Sequence, residues 1–108
     1  MIVTKDEKYN ALILRLEGRL DATTSVQLEN VLNNAIENKH NKILVDFSGV
    51  EYLSSAGMRV LLSMTKRLKG IGGYFKLFSI HDDVMEIIRL AGFEIILQIF
   101  NDEISAVS

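Results

Sequence analysis

Apolar and polar positions along this chain switch between two periods. From Tyr9 to Leu16, Leu12, Ile13, Leu14 and Leu16 give a run with partial two-residue alternation, which predicts a strand. Met1 to Thr4 reads as a short edge strand before it, and Gly18-Arg19-Leu20-Asp21 as the break after it. The period then lengthens. Leu28, Val31, Leu32, Ala35 and Ile36 recur at three- and four-residue steps, with Gln27, Glu29, Asn30, Asn33, Asn34 and Glu37 on the other face. That pattern predicts an amphipathic helix, with Thr23 or Thr24 as its cap. Ile43 to Phe47 is apolar except for Asp46, as in a strand covered on both faces. Met58, Leu61, Leu62, Thr65 and Leu68 then mark one face of a second helix, and Arg59, Lys66, Arg67 and Lys69 its outer side. Gly70, Gly72 and Gly73 end that helix. Tyr74 to Ile80 predicts another strand. Asp82 or Asp83 is the expected cap of a third helix with the stripe Val84, Ile87, Ile88 and Ala91, closed by Gly92. Phe93 to Phe100 predicts a last strand, and Asn101 to Ser108 a tail with one helical turn.

The order β-β-α-β-α-β-α-β implies an α/β fold. Strands joined through helices run parallel with right-handed crossovers, while the first two pair as a hairpin. The expectation is one domain over residues 1–108, with a mixed sheet of four to five strands and helices packed on it. No internal repeat, low-complexity run or linker interrupts it.

Composition narrows the function classes. A net charge of −2 with Lys and Arg spread along the chain argues against a nucleic-acid footprint, which needs a concentrated basic face. Cysteine is absent, so disulfides, thiol chemistry and zinc–thiolate sites are excluded. Residues 1–6 show no basic-then-apolar leader pattern, and no apolar stretch approaches the roughly 20 residues of a membrane span. The expectations are a cytoplasmic location and no direct membrane insertion.

Candidate catalytic chemistry is sparse. The histidines, His40 and His81, fall in polar loop contexts far from each other in sequence, and read as surface or capping residues. No carboxylates have metal-loop spacing, and Gly70, Gly72 and Gly73 are not followed by the Lys-Ser/Thr pair of a phosphate-binding loop. No metal or cofactor is expected, and nothing argues for an enzyme.

The most informative stretch lies where the buried strand turns into the second helix, at Leu53-Ser54-Ser55-Ala56-Gly57-Met58. Ser54 suits an N-cap and Ser55 a first-turn position. A small-residue helix start is flat and approachable, and a phosphate there would meet free N–H groups and the positive end of the helix dipole. The pair therefore reads as a cap or as a switch. Asp21 reads equally as a turn or capping residue and as part of a functional face. Met58 fits the core at helical spacing as well as an interface.

Ile43-Leu44-Val45-Asp46-Phe47-Ser48-Gly49 followed by Val50-Glu51-Tyr52-Leu53-Ser54-Ser55-Ala56-Gly57-Met58-Arg59-Val60-Leu61 resembles the signature of bacterial anti-sigma-factor antagonists, the STAS domain family. Leu16-Glu17-Gly18-Arg19-Leu20-Asp21 resembles that family's Gly-x-Leu-Asp segment. Gly72-Gly73 and Leu90-Ala91-Gly92-Phe93 match in kind and order. The family's usual junction is Asp-Ser-Ser/Thr-Gly, with the serine after the aspartate as phosphoacceptor. Aligned on Gly57, the acceptor is Ser55, the next position is Ala56, and Ser54 stands where the aspartate is usual.

The resemblance implies partner switching. The unphosphorylated domain binds an anti-sigma factor that is also a GHKL-type serine kinase, and so frees the sigma factor. Phosphorylation of Ser55 ends the binding, and a PP2C-type phosphatase resets it. Gly18, Leu20, Asp21, Ser54, Gly57 and Met58 are the expected docking face around Ser55. The alternatives are a STAS interaction or scaffold module without phosphorylation, for example an accessory part of a membrane transport system, and a small enzyme or ligand-binding domain.

Overall fold

The computed structural model describes residues 1–108. Strands β1 (Ile2–Lys8) and β2 (Ala11–Leu20) form an antiparallel hairpin. They are joined through Tyr9 and Asn10, both at positive φ (58° and 57°), as a two-residue type I′ turn demands. Helix α1 (Ala22–Glu37) leads to β3 (Lys42–Leu53), α2 (Ser55–Gly70) to β4 (Tyr74–Phe78), and α3 (Asp82–Leu90) to β5 (Gln98–Phe100). A short helix α4 (Glu103–Val107) follows. The strands lie in the order β1-β2-β3-β4-β5, parallel throughout except for β1 against β2. This is the mixed α/β sheet that the apolar periods predict, with five strands.

The two faces of the sheet are covered unequally. Leu12, Leu14 and Leu16 of β2, Ile43, Val45 and Phe47 of β3, and Phe75 and Leu77 of β4 point one way. They meet Leu28 and Leu32 of α1, Leu61, Met64 and Leu68 of α2, and Val84 and Ile88 of α3 in one cluster. The other face carries a smaller cluster of Ala11, Ile13, Leu44 and Phe78, closed by Ala106 of α4. Polar groups pin α4 there. Glu103 takes Arg15 Nη1 at 2.9 Å, Lys8 Nζ at 2.9 Å and the Tyr9 hydroxyl at 3.0 Å. Arg15 also reaches Asp46 at 3.0 Å and Asp6 at 3.1 Å. The Asp46 that interrupts the apolar run of β3 is thus an ion-pair partner on the reverse face. Hydrogen bonds from Lys8, Arg15 and Tyr9 hold the Glu103 carboxyl at about 2, and the bond to Glu103 raises Arg15.

Several boundaries differ from the expected ones. The first strand extends to Lys8. β2 does not break at Gly18 but continues to Leu20, and β3 runs six residues past Phe47 to Leu53. Irregular register between Arg15 and Glu17, and between Gly18 and Arg19, lets the two strands stay paired through their polar ends. Gly18 sits there at φ +122°, a conformation that side chains disfavour. The expected strand over Phe93–Phe100 shrinks to Gln98–Phe100. Residues 93–97 turn instead, with the Ile96 and Leu97 N–H groups both donating to the Phe93 carbonyl. Only Leu97 of that apolar run is buried, while Ile95 is 91% exposed. Helix α1 is capped by Asp21 rather than Thr23 or Thr24. At α3, His81 occupies the cap position without a side-chain bond to the helix, and Asp82 and Asp83 lie in the first turn.

Candidate functional site

The site begins with two adjacent parallel strand ends. Leu20 of β2 lies in register with Leu53 of β3, and each strand passes directly into a helix, so α1 and α2 start side by side. The Ser54 N–H donates to the Leu20 carbonyl at 2.8 Å and ties the two junctions together.

Ser54 is the N-cap of α2. Its backbone is extended (φ −87°, ψ 171°) and its Oγ accepts from the Gly57 N–H at 3.1 Å, while its carbonyl takes the first helical bond from Met58. Ser55, the first residue of the helix, is exposed, and its hydroxyl has no partner within the chain. The two hydroxyls therefore separate into a structural one and a free one.

Asp21 plays at α1 the role that Ser54 plays at α2. Its Oδ1 accepts from the Thr23 and Thr24 N–H groups at 3.0 and 2.9 Å, and Thr24 Oγ1 accepts from the Asp21 N–H at 2.9 Å, completing a capping box. These bonds, Thr24 foremost, hold its carboxyl below the usual range. Gly18 lies three residues upstream and is half-buried.

The other expected face residues are behind the surface. Leu20 is fully buried and Met58 is 5% exposed, both in the main core. Gly57 is also buried. A Cβ there would lie 2.8 Å from Leu53 Cδ1 and 3.2 Å from Leu20 Cβ, so the glycine lets the first turn of α2 close onto the strand ends. Leu20 and Gly57 shape the face from beneath, while Met58, although largely buried, reaches the wall of the adjoining groove.

The surface itself is an apolar groove of about 510 Å³ between α2 and α3 that opens beside Ser54 and Ser55. Its walls are Leu53, Met58 and Leu62 on one side and Ile87, Ala91 and Phe93 on the other, with Arg59 at its rim. Tyr52 also borders it and carries the Arg19 guanidinium 4.3 Å above its ring. The periodic pattern concealed this groove. Leu62 and Ile87 read as plain core positions, and Phe93 read as the start of a strand. The signal was the apolar excess of residues 93–97, more than one short strand buries.

The histidines stay apart. His40 Nε2 lies 3.4 Å from Glu7, and His81 Nε2 contacts the Ser48 carbonyl oxygen at 2.5 Å. No group of three or more His, Asp or Glu residues is placed to hold a metal ion, and no helix is long and apolar enough to cross a membrane.

Three comparisons bear on this arrangement. The anti-sigma factor antagonist BtrV of Bordetella bronchiseptica is 29% identical over 98% of this chain and 91% of its own length. The crystal structure of an anti-sigma factor antagonist from Thermotoga maritima superposes with a TM-score of 0.86 at 24% identity, covering 95% of this chain and 88% of that one. The Bacillus cell fate determinant SpoIIAA in its phosphorylated form gives a TM-score of 0.74 at 16% identity, covering 94% of this chain and 92% of that one. Both structural likenesses concern the fold. The STAS domain model matches residues 3–106, from β1 through α4, so the sheet, the paired helix starts and the serine junction all lie within one recognised unit, and the chain belongs to the STAS domain family.

Proposed function

We propose that this chain is an anti-sigma-factor antagonist that works by partner switching, with Ser55 as its phosphoacceptor. The observation that carries the reading is the division of labour between the serines. Ser54 is engaged as the cap, while the exposed Ser55 hydroxyl is held at a rigid helix start beside an apolar groove. The name carried by the Bordetella relative, and a family neighbour known in a phosphorylated form, support it.

In this reading the unphosphorylated face binds an anti-sigma factor that is also a GHKL-type serine kinase. The groove and the Gly18–Asp21 junction flank the contact, with Leu20, Gly57 and Met58 supporting it from within. The kinase moves the γ-phosphoryl group of its ATP to Ser55 Oγ. The bond to the ADP oxygen breaks, the O–P bond to serine forms, and the serine proton leaves to solvent. A PP2C-type phosphatase hydrolyses the ester.

The phosphate brings about −1.5 to −2 charges. At a helix N-terminus those charges are tolerated by the fold. Inside a docked interface a poorly compensated charge costs several kcal/mol, enough to lower affinity by orders of magnitude.

The test is mass spectrometry after incubation with the cognate kinase and ATP. Label on Ser55, abolished in Ser55→Ala, supports the reading; label elsewhere overturns it. Ser55→Asp should weaken partner binding with an unchanged melting temperature. The serine in place of the usual aspartate at position 54 favours a second reading, a STAS interaction module without phosphorylation, and failure of any co-encoded kinase to label the protein would select it.

A further inference from the structure

The chain has five arginines, and four of them have partners. Arg15 is held by Asp6, Asp46 and Glu103, Arg89 by Glu86 and Glu94, Arg67 by Asn33, and Arg19 by the face of Tyr52. Arg59 makes no ion pair, hydrogen bond or ring contact. It is exposed on α2 four residues after Ser55 and borders the same groove. Positions four apart on a helix are neighbours, about 5–6 Å between Cβ atoms. Long helical side chains lean toward the N-terminus, so the reach of Arg59 is back over the turn that carries Ser55.

We propose that Arg59 is the built-in counter-ion of a phosphate on Ser55, pairing with it across one turn of α2. This rests on the reading of Ser55 as phosphoacceptor and adds a consequence to it. Phosphorylation alters the face at two positions at once: Ser55 gains a dianion, and Arg59 is drawn from the groove rim toward the helix start. The guanidinium fork can meet two phosphate oxygens at once, where a lysine ammonium at the same position would act only as a point charge.

The other charged groups nearby leave Arg59 available. Glu29 of α1 borders the cleft on the far side of Arg59 but forms no ion pair with it. The Asp21 carboxylate is occupied in its cap, Glu51 of β3 is exposed, and the α3 wall of the groove is apolar.

The test installs phosphoserine at position 55 during synthesis, so it needs no kinase and stands apart from whether any kinase labels Ser55. The probe is the ³¹P resonance of that phosphoserine, followed through its second ionisation. Arg59 favours the dianion, so Arg59→Gln should raise the pH midpoint by about half a pH unit, a threefold change in acid dissociation. The helix-terminal amides, Asp21 and Glu29 are common to both proteins and cancel. Arg59→Lys should recover only part of the difference, and Lys66→Gln, about two turns further along the helix, should leave the midpoint unmoved. An unchanged midpoint in Arg59→Gln, or an equal rise in Lys66→Gln, would overturn the proposal.

Discussion

Replacing Ser54 by alanine separates the two hydroxyls most directly. The substitution removes the acceptor of the Gly57 N–H, now bonded at 3.1 Å. That N–H belongs to a buried residue pressed against Leu20 and Leu53, where water has poor access. Loss of a Ser cap costs about 1 kcal/mol, and leaving a buried donor unpaired costs about 1–3 kcal/mol, so the expected loss is about 1–2 kcal/mol. At this chain length each kcal/mol lowers the melting temperature by roughly 5 °C. Ser55→Ala removes a hydroxyl with no partner and should stay within about 0.5 kcal/mol of the parent. Ser54→Asp keeps an acceptor at the cap and should restore stability to within a few tenths of a kcal/mol of Ser54. Urea titration followed by circular dichroism reads all three. If Ser55→Ala loses as much as Ser54→Ala, the hydroxyls share the cap, and the argument for a free Ser55 fails. A neutral Ser54→Ala would refute the cap itself.

Three further perturbations test the frame around the site. Glu103→Gln should destabilise the protein by about 1–2 kcal/mol at neutral pH, a figure discounted for the partial exposure of this side chain. The folded-state carboxyl lies at about 2, below its ordinary 4.5, so its contribution is full above about pH 5. The stability gap between parent and variant in urea titrations should therefore close as pH falls from about 5 to 2; a gap that widens on acidification would refute the network. Gly57→Val places branched bulk where even a Cβ is 2.8 Å from Leu53, and should cost about 1–3 kcal/mol by thermal melting. Leu20→Ala empties a fully buried position and should cost about 2–5 kcal/mol; a loss confined to partner binding would make Leu20 a contact residue instead of a support.

The long elements were legible in the chain because each buries one stripe. The face of α1 and the apolar centres of β2, β3 and β4 follow from periodicity alone. The α2 stripe does so in part, since Met58, Leu61 and Leu68 are buried, but Val60 and Met64 take core positions while Leu62 and Thr65 are only half-buried. The ends were not legible. Ser48 to Tyr52 carry too few apolar residues to signal a strand, yet the β2 ladder pairs them, since backbone hydrogen bonds are indifferent to side-chain polarity. Phe93 to Leu97 gave the opposite error. Its residues are apolar enough for a strand, but the chain turns at Phe93, and only Leu97 finds room in the core.

The sequence by itself determined the α/β class, the helix start at Ser54 and the family resemblance of the serine junction, since these depend on local periodicity, capping chemistry and motif order. Tertiary structure decided which hydroxyl is free, that Leu20, Gly57 and Met58 face inward, that α3 and the Phe93 turn complete a groove beside Ser55, and that Arg59 alone among the arginines is unpaired. Those properties belong to contacts between segments distant in the chain, and no local pattern encodes which side chain fills or vacates a space that two helices and two strand ends enclose together.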